Sequence, residues 1–358
     1  MTFSWMQLKQ LVRNYWMRAE TLEVDIKKES DPPYKSLGHV AEAILHYKQN
    51  GESDDAEDIP STEYENIKQQ SPPIRCTQSN PCKAVNCPFE NFHRSYHTKC
   101  VNVQNLSLLE PTPSNEVPHP DPNQESIFIN FNFEGDSQIS SVNGHNFILP
   151  SFPPQTQYPD FQQNDIKCDL QADCNPSTIE CLCVHMIDIP KDKTIQIVLS
   201  AIGKWTNSHP IHLHGHSFQV VHVGYPEYEE SNGFISKHSS DIVCGDEHCN
   251  KKDCDKERCT KPGWAHNAKR TFEVNNTTVR KDTVMVPAGG YVVINFLSNN
   301  PGHWFLHCHI EVHQLEGMAL IINEARDAQK PPPKGTSTCG DFTYTVKDYL
   351  RYHEETSP

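Results

Sequence analysis

The chain is short of positive charge. Its 358 residues hold 31 Lys and Arg against 46 Asp and Glu, a net charge of -15. That argues against nucleic acid and anionic membranes as partners, since both are bound through basic patches. Long apolar runs are also missing. The longest, such as Tyr291 to Leu297, fall far short of the roughly 20 residues that cross a bilayer, so no transmembrane segment is expected. The opening stretch MTFSWMQLKQLVRNYW lacks an uninterrupted apolar core and a small-residue cleavage site, so it is not expected to be a signal peptide. No sustained helical period is visible. Methionine is scarce, six in all and never clustered.

Cysteine, by contrast, is plentiful. Fourteen cysteines suggest an oxidising compartment and an extracellular, disulfide-bonded protein. Glycosylation sequons at Asn105, Asn275 and Asn276 point the same way. An export composition without an export signal is resolved if the chain begins inside a longer protein. Cys244, Cys249, Cys254 and Cys259 recur every five residues in CGDEHCNKKDCDKERC. Zinc sites usually use close pairs two residues apart, so this spacing favours disulfides over zinc. Cys76, Cys82, Cys87 and Cys100 invite the same reading, as do Cys168, Cys174, Cys181 and Cys183. With Cys308 set aside the remainder is odd, so at least one cysteine, with Cys339 the candidate, lacks a partner here.

Along the chain, YWMRAETLEV and VAEAILHYK are strand-like runs separated by the charged, proline-bearing KKESDPPYKS. GESDDAEDIPSTEYE reads as a solvated acidic loop. LEPTPSNEVPHPDPNQ is a Pro-rich linker or long surface connection. Short strands follow at SIFINFNFE, KTIQIVLSAI, SFQVVHVGY, DTVMVPAGGYVVINFL and GMALIIN, which suggest an antiparallel sandwich or barrel. The tail from Ala325, with three consecutive prolines, reads as a surface extension.

One stretch carries chemistry: HCHIEVHQLEGM, residues 307 to 318. If residues 303 to 309 are extended, Cys308 points to one face and His307 and His309 to the other. The motif is therefore two sites back to back. His313 and Met318 complete the Cys308 side through the spacing Cys-x4-His-x4-Met. A thiolate, imidazoles and a soft thioether form the blue-copper pattern, which needs one more imidazole. HPIHLHGHSF, residues 209 to 218, offers it. His212 and His214 share a face and His209 takes the opposite one, with Pro210 at a strand start or edge. His209 then turns to Cys308, while His212 and His214 join His307 and His309 in a histidine-only cluster. Zinc is the competing metal, but structural zinc favours several cysteines in a closed tetrahedron. His216 extends the alternation and is assigned a supporting role. His93, His97, His145 and His185 lack metal spacing and read as ordinary residues.

HPIHLHGHSFQVV and GHWFLHCHIEVHQLEGMALII resemble the third and fourth copper signatures of the multicopper oxidases, most closely the animal laccases. VNGHNFILP and RKDTVMVPAGGYVVINF share the resemblance. It implies all-β, cupredoxin-like Greek-key β-sandwiches: a partial second domain over 1–103, a Pro-rich linker over 104–125, a complete copper-binding third domain over 126–325 and a tail over 326–358. It implies one-electron oxidation of phenolic or similar donors coupled to reduction of dioxygen to water. By matching motifs, His209, Cys308, His313 and Met318 would hold type 1 copper, His212 type 2 copper, and His214, His307 and His309 the type 3 pair. The family's first two signatures are not found, and no His-x-His precedes residue 212. A missing N-terminal cupredoxin domain is therefore expected to supply the other half of the oxygen-reducing cluster. Two rival readings stay open: a metallo-oxidase acting on Fe(II) or Cu(I), and a non-catalytic type 1 copper module for electron transfer.

Overall fold

In the computed structural model the described residues are the strands between Thr2 and His46 and, with short gaps, most of residues 76–336. The acidic stretch from Gly51, the cysteines Cys174, Cys181, Cys249, Cys254 and Cys339, His93 and the end of the tail lie outside them. The chain divides into two compact units. One comprises Met1–Asn102 with Glu230–Gly233, the other Val103–Glu229 with Phe234–Pro358.

In the first unit, β1 (Thr2–Ser4), β2 (Gln10–Leu11), β3 (Asn14–Val24) and β4 (Tyr34–His46) form one sheet. β3 and β4 are antiparallel, with Tyr15 opposite Leu45 and a register shift between Glu20 and Leu22. β5 (Cys82–Val85) and β6 (Thr98–Val101) pair in parallel. The Cys76–Cys82 and Cys87–Cys100 disulfides pin this small element.

The second unit is a sandwich. Its strands are β7 (Ile127–Glu134), β8 (Ile139–Val142), β9 (Asn146–Phe147), β10 (Leu182–Cys183), β11 (Met186–Ile189), β12 (Thr194–Ser200), β13 (His209–Leu213) and β14 (Phe218–Gly224). They continue with β15 (Glu227–Tyr228), β16 (Ile235–Lys237), β17 (Ile242–Cys244), β18 (Pro262–Trp264), β19 (Arg280–Lys281), β20 (Thr283–Val286), β21 (Tyr291–Leu297), β22 (Gly302–Cys308) and β23 (Ala319–Glu324). A five-stranded sheet runs β11-β23-β22-β13-β20 and a six-stranded sheet β19-β14-β21-β12-β7-β8. The chain crosses between them in Greek-key fashion, from β12 to β13 to β14 and again from β20 to β21 to β22. Most pairs are antiparallel, but β7–β12 and β11–β23 in the two main sheets, and the short β9–β10 pair, are parallel.

Side chains of both inner faces fill the core: Ile195, Ile197, Leu199, Ile294 and Phe296 from one sheet, Ile211, Leu213, Leu306, Leu320 and Ile322 from the other. β21 lies inside the larger sheet and is covered on both faces, which is why YVVINFL is apolar almost without alternation. A second apolar cluster around Trp264 and Tyr291 covers its outer side. A third, around Phe147 and Phe161, covers part of the outer side of the five-stranded sheet.

The Pro-rich segment is bound along this unit. Thr112 N–H donates to Asn276 O at 2.7 Å, Leu108 N–H to Thr277 O at 2.9 Å, and Val117 is buried. Pro210 is the second residue of β13, at the strand start, although the strand itself has neighbours on both sides and is not an edge. The Pro210 carbonyl still accepts from His309 N–H at 2.7 Å, so the proline forgoes only the reciprocal bond, at the end of the β13–β22 ladder.

Candidate metal centre

Three adjacent pieces of chain build the site: β13, β22 and the short helix Glu311–Leu315 that follows β22. In the antiparallel register Ile211 lies opposite Cys308 and His212 opposite His307. Opposed residues share a face and neighbours along a strand take opposite faces. Cys308 thus enters the core beside Ile211, and His307 leaves it beside His212. Residue 307 belongs to one cluster, and residue 308 to the other.

On the core side His209, Cys308 and Met318 are fully buried. The Cys308 Sγ lies 3.7 Å from His209 Nδ1 and 3.7 Å from His313 Nδ1, and all three ligand atoms fall within 4.8 Å of one another. His313 reaches the sulfur because the helix turns the chain back; Met318 N–H then donates to His313 O at 2.9 Å, and Cys308 N–H to Met318 O at 3.1 Å. Gly317 makes this return possible. Its φ is +114°, and a Cβ there would sit 2.8 Å from Phe147 N. Phe133 closes the pocket, its ring 5.7 Å from that of His209 and 5.0 Å from that of His313.

The electrostatics suit a cation. Burial, and then His313, push His209 down to about 3, so it is a neutral imidazole at ordinary pH. Burial pushes the Cys308 thiol up to about 12, against a lowering by the Ile310 N–H. A metal reverses that balance, because a bound cation stabilises the thiolate directly. Bonds of about 2.3 Å to sulfur and about 2.0 Å to nitrogen, meeting near the tetrahedral angle, separate the donor atoms by roughly 3.5 Å. The observed 3.7 Å separations match. Two imidazoles, a thiol and a buried thioether fit copper by donor chemistry.

On the other face stand His212, His214, His307 and His309. Ring centroids are 4.8 Å apart for His212 and His214, 5.7 Å for His212 and His307, 5.8 Å for His212 and His309, and 5.6 Å for His307 and His309. His214 Nε2 and His307 Nε2 are 3.2 Å apart. His212 Nδ1–H donates to Asp282 O at 2.9 Å, with Thr283 Oγ1 at 3.0 Å, and His307 Nδ1–H donates to Cys308 O at 2.9 Å. These bonds fix the tautomers and leave each Nε2 with its lone pair. Burial leads the lowering of His307 to about 4, partly opposed by its bond to the Cys308 carbonyl and reinforced by the neighbouring histidines. His216 turns away to the buried Glu324 carboxylate at 2.5 Å. Phe305, stacked on His307 at 4.6 Å, Phe133 and the Asp282 carbonyl had no sequence signal, since each acts through register or packing.

A copper-competent pocket backed by a histidine cluster defines the class. The family model described as multicopper oxidase matches residues 149–328, half of the chain and all eight site residues, and the chain belongs to that family. It is an oxidoreductase family, and its metal is copper. Among curated relatives, Laccase-10 of Arabidopsis thaliana is 32% identical over 157 residues, 42% of this chain and 22% of that protein. Laccase-22 of Oryza sativa subsp. japonica is 27% identical over 221 residues, 57% of this chain and 33% of that protein. Iron multicopper oxidase fer1 of Mycosarcoma maydis is 38% identical over 119 residues, 33% of this chain and 14% of that protein. The chain thus spans a third or less of the length of these relatives. Among solved structures, Fet3p, titled a multicopper oxidase that functions in iron import, aligns with a TM-score of 0.48 at 17% identity, covering 96% of this chain and 48% of Fet3p. The laccase from Botrytis aclada aligns at 0.43 and 16%, covering 98% and 46%.

Proposed function

We propose that the chain is the electron-entry portion of a laccase-like multicopper oxidase. His209, Cys308, His313 and Met318 hold type 1 copper; His212 contributes to type 2 copper, and His214, His307 and His309 to the type 3 pair. The observation that carries this reading is the convergence of the His209 and His313 Nδ1 atoms on one buried thiol, with four histidines directly behind it. When loaded, the coppers would take electrons singly from a phenolic or similar donor and deliver them to dioxygen, which is reduced to water.

The chain's own residues prepare this. Phe133 and the burial of His209 and Cys308 exclude water from the thiolate. Adjacent backbone positions 307 and 308 place the two clusters one peptide apart. The bonds to Asp282 O and Cys308 O orient the imidazoles before any ion arrives. Half of the oxygen-reducing ligands would come from another cupredoxin domain, so oxygen-coupled turnover needs that domain. Kinship with animal laccases rests on the wording of the two histidine motifs. An extracellular location is supported by four disulfides among the described residues and by exposed sequon residues Asn105, Asn275 and Asn276.

A second reading, oxidation of Fe(II), draws on the fer1 similarity and on Glu311 and Glu316, both exposed beside His313. Parallel assays with Fe(II) and a phenol on a chain joined to such a cupredoxin domain separate the two. A type 1 module without oxygen chemistry is the outcome if neither is oxidised. The direct test of the site is colour. Cu(II) added to the protein should give the intense absorption of a copper-thiolate, lost in Cys308→Ser and kept in His307→Ala and His309→Ala. Blue colour surviving in Cys308→Ser would overturn the assignment.

A further inference from the structure

A second group of ligating side chains lies outside the copper residues. Asn143 and Gly144, at φ of 50° and 79°, make the tight turn that closes Val142 on His145. His145 therefore stands at the head of β9. β9 pairs in parallel with β10, Phe147 opposite Cys183, and His185 lies two residues beyond the end of β10. Cys168 is disulfide-bonded to Cys183. The ligand atoms of His145, Cys168 and Cys183 all lie within 4.8 Å of one another, and the His145 and His185 rings are 5.1 Å apart.

We propose that the Cys168–Cys183 disulfide is the closed form of a thiol-gated metal site, in which the two cysteines freed by reduction join His145 and His185 to hold a thiophilic cation such as Zn(II). Two observations favour this over a plain staple. His185 is 5% exposed, and its Nδ1 has no hydrogen-bond partner, a desolvation cost that structural histidines ordinarily avoid by pairing. Burial and the neighbouring His145 also keep His185 neutral, at about 3, the form that ligates metal. The backbone is also held by bonds that do not pass through sulfur. Ile148 N–H donates to Cys183 O at 3.1 Å, Cys168 N–H to Val184 O at 3.3 Å, and Ile321 N–H to His185 O at 2.9 Å. Opening the S–S bond leaves this backbone in place, so the two sulfurs need part only by side-chain rotation to bind one ion. Cys183, His145 and His185 are buried, while Cys168 is only partly so and admits a reductant.

The steps balance. A dithiol gives two electrons and two protons to the sulfur–sulfur bond, which breaks into two thiols as the dithiol closes to its own disulfide. A divalent ion then displaces both thiol protons and is bound by two sulfurs and two imidazoles, a common structural zinc set. The proposal is independent of the copper reading.

The experiment uses the full chain carrying Cys308→Ser, which removes the free thiol found among the described residues. Co(II) is titrated before and after reduction with a phosphine, then displaced by Zn(II). Reduction should create a tetrahedral thiolate-cobalt spectrum, and His145→Asn or His185→Asn should each weaken zinc binding at least tenfold. Alkylation followed by mass spectrometry should show zinc protecting Cys168 and Cys183 in the chain without histidine changes. A cobalt spectrum indifferent to both histidine substitutions, or alkylation at Cys168 and Cys183 indifferent to zinc, leaves the disulfide a staple only and overturns the proposal.

Discussion

Gly215 follows His214 at a φ of +75°, and a Cβ there would fall 2.2 Å from Cδ2 of Trp304. Gly215→Ala therefore meets two penalties. A non-glycine residue in the left-handed region costs about 1–2 kcal/mol. Forcing the methyl into the indole adds about 1–3 kcal/mol of overpacking. Trp304 cannot step aside freely, since its Nε1–H donates to Asn300 O at 2.7 Å, and Asn300 Nδ2–H donates back to Gly215 O at 2.9 Å. The expected loss is about 2–5 kcal/mol, read as a lower urea midpoint by far-UV circular dichroism at unchanged slope. In a Trp304→Ala background only the backbone part, about 1–2 kcal/mol, should remain. The substitution also displaces His214, whose Nε2 is 3.2 Å from that of His307, so copper retained by the histidine cluster should fall while the blue band persists. A loss below about 0.5 kcal/mol, or one as large without Trp304 as with it, refutes the reasoning.

Met318→Leu nearly conserves volume in a fully buried position, so it should cost less than about 1.5 kcal/mol, keep the blue colour and raise the copper potential measured by redox titration, because a donor to the oxidised ion is lost. Glu324→Ala strips the buried acceptor from His216 and from the Asn300 N–H; a loss of about 3–5 kcal/mol is expected by denaturant titration, and a neutral result would show that the pair holds nothing together. Burial raises the Asp241 carboxyl, but bonds from Arg270 and Tyr291 outweigh it and hold the group below its ordinary 3.8. Its contribution is present above that value and is lost as pH falls through the lower folded one; Asp241→Asn should flatten the acid limb of stability against pH, and an unchanged limb counts against the Arg270–Asp241–Tyr291 link.

The candidate metal ligands were legible as a set because copper demands particular side chains and a strand alternates faces. His-x-His and His-Cys-His therefore announce two faces whatever the rest of the fold does. The strands around them were legible for the same reason of period and length. Less visible was the helix Glu311–Leu315, whose five residues carry too little pattern for a period to register. His145 and His185 read as ordinary residues because their spacing matches no motif; only the β9–β10 pairing sets His145 beside Cys168 and Cys183, with the His185 ring 5.1 Å from that of His145. The antiparallel expectation failed at β7–β12 and β11–β23, since local alternation is the same in parallel and antiparallel strands.

By itself the sequence determined the candidate donor set and its division between two faces, because both follow from residue chemistry and the two-residue period of an extended chain. It also determined the lack of a long apolar span and the acidic balance. Tertiary structure alone decided that Ile211 meets Cys308 and His212 meets His307, that two Nδ1 atoms converge on one sulfur, and that Phe133 seals the pocket. Register and packing join residues about a hundred positions apart, and such pairings are selected by the burial of the whole sandwich rather than by any local stretch.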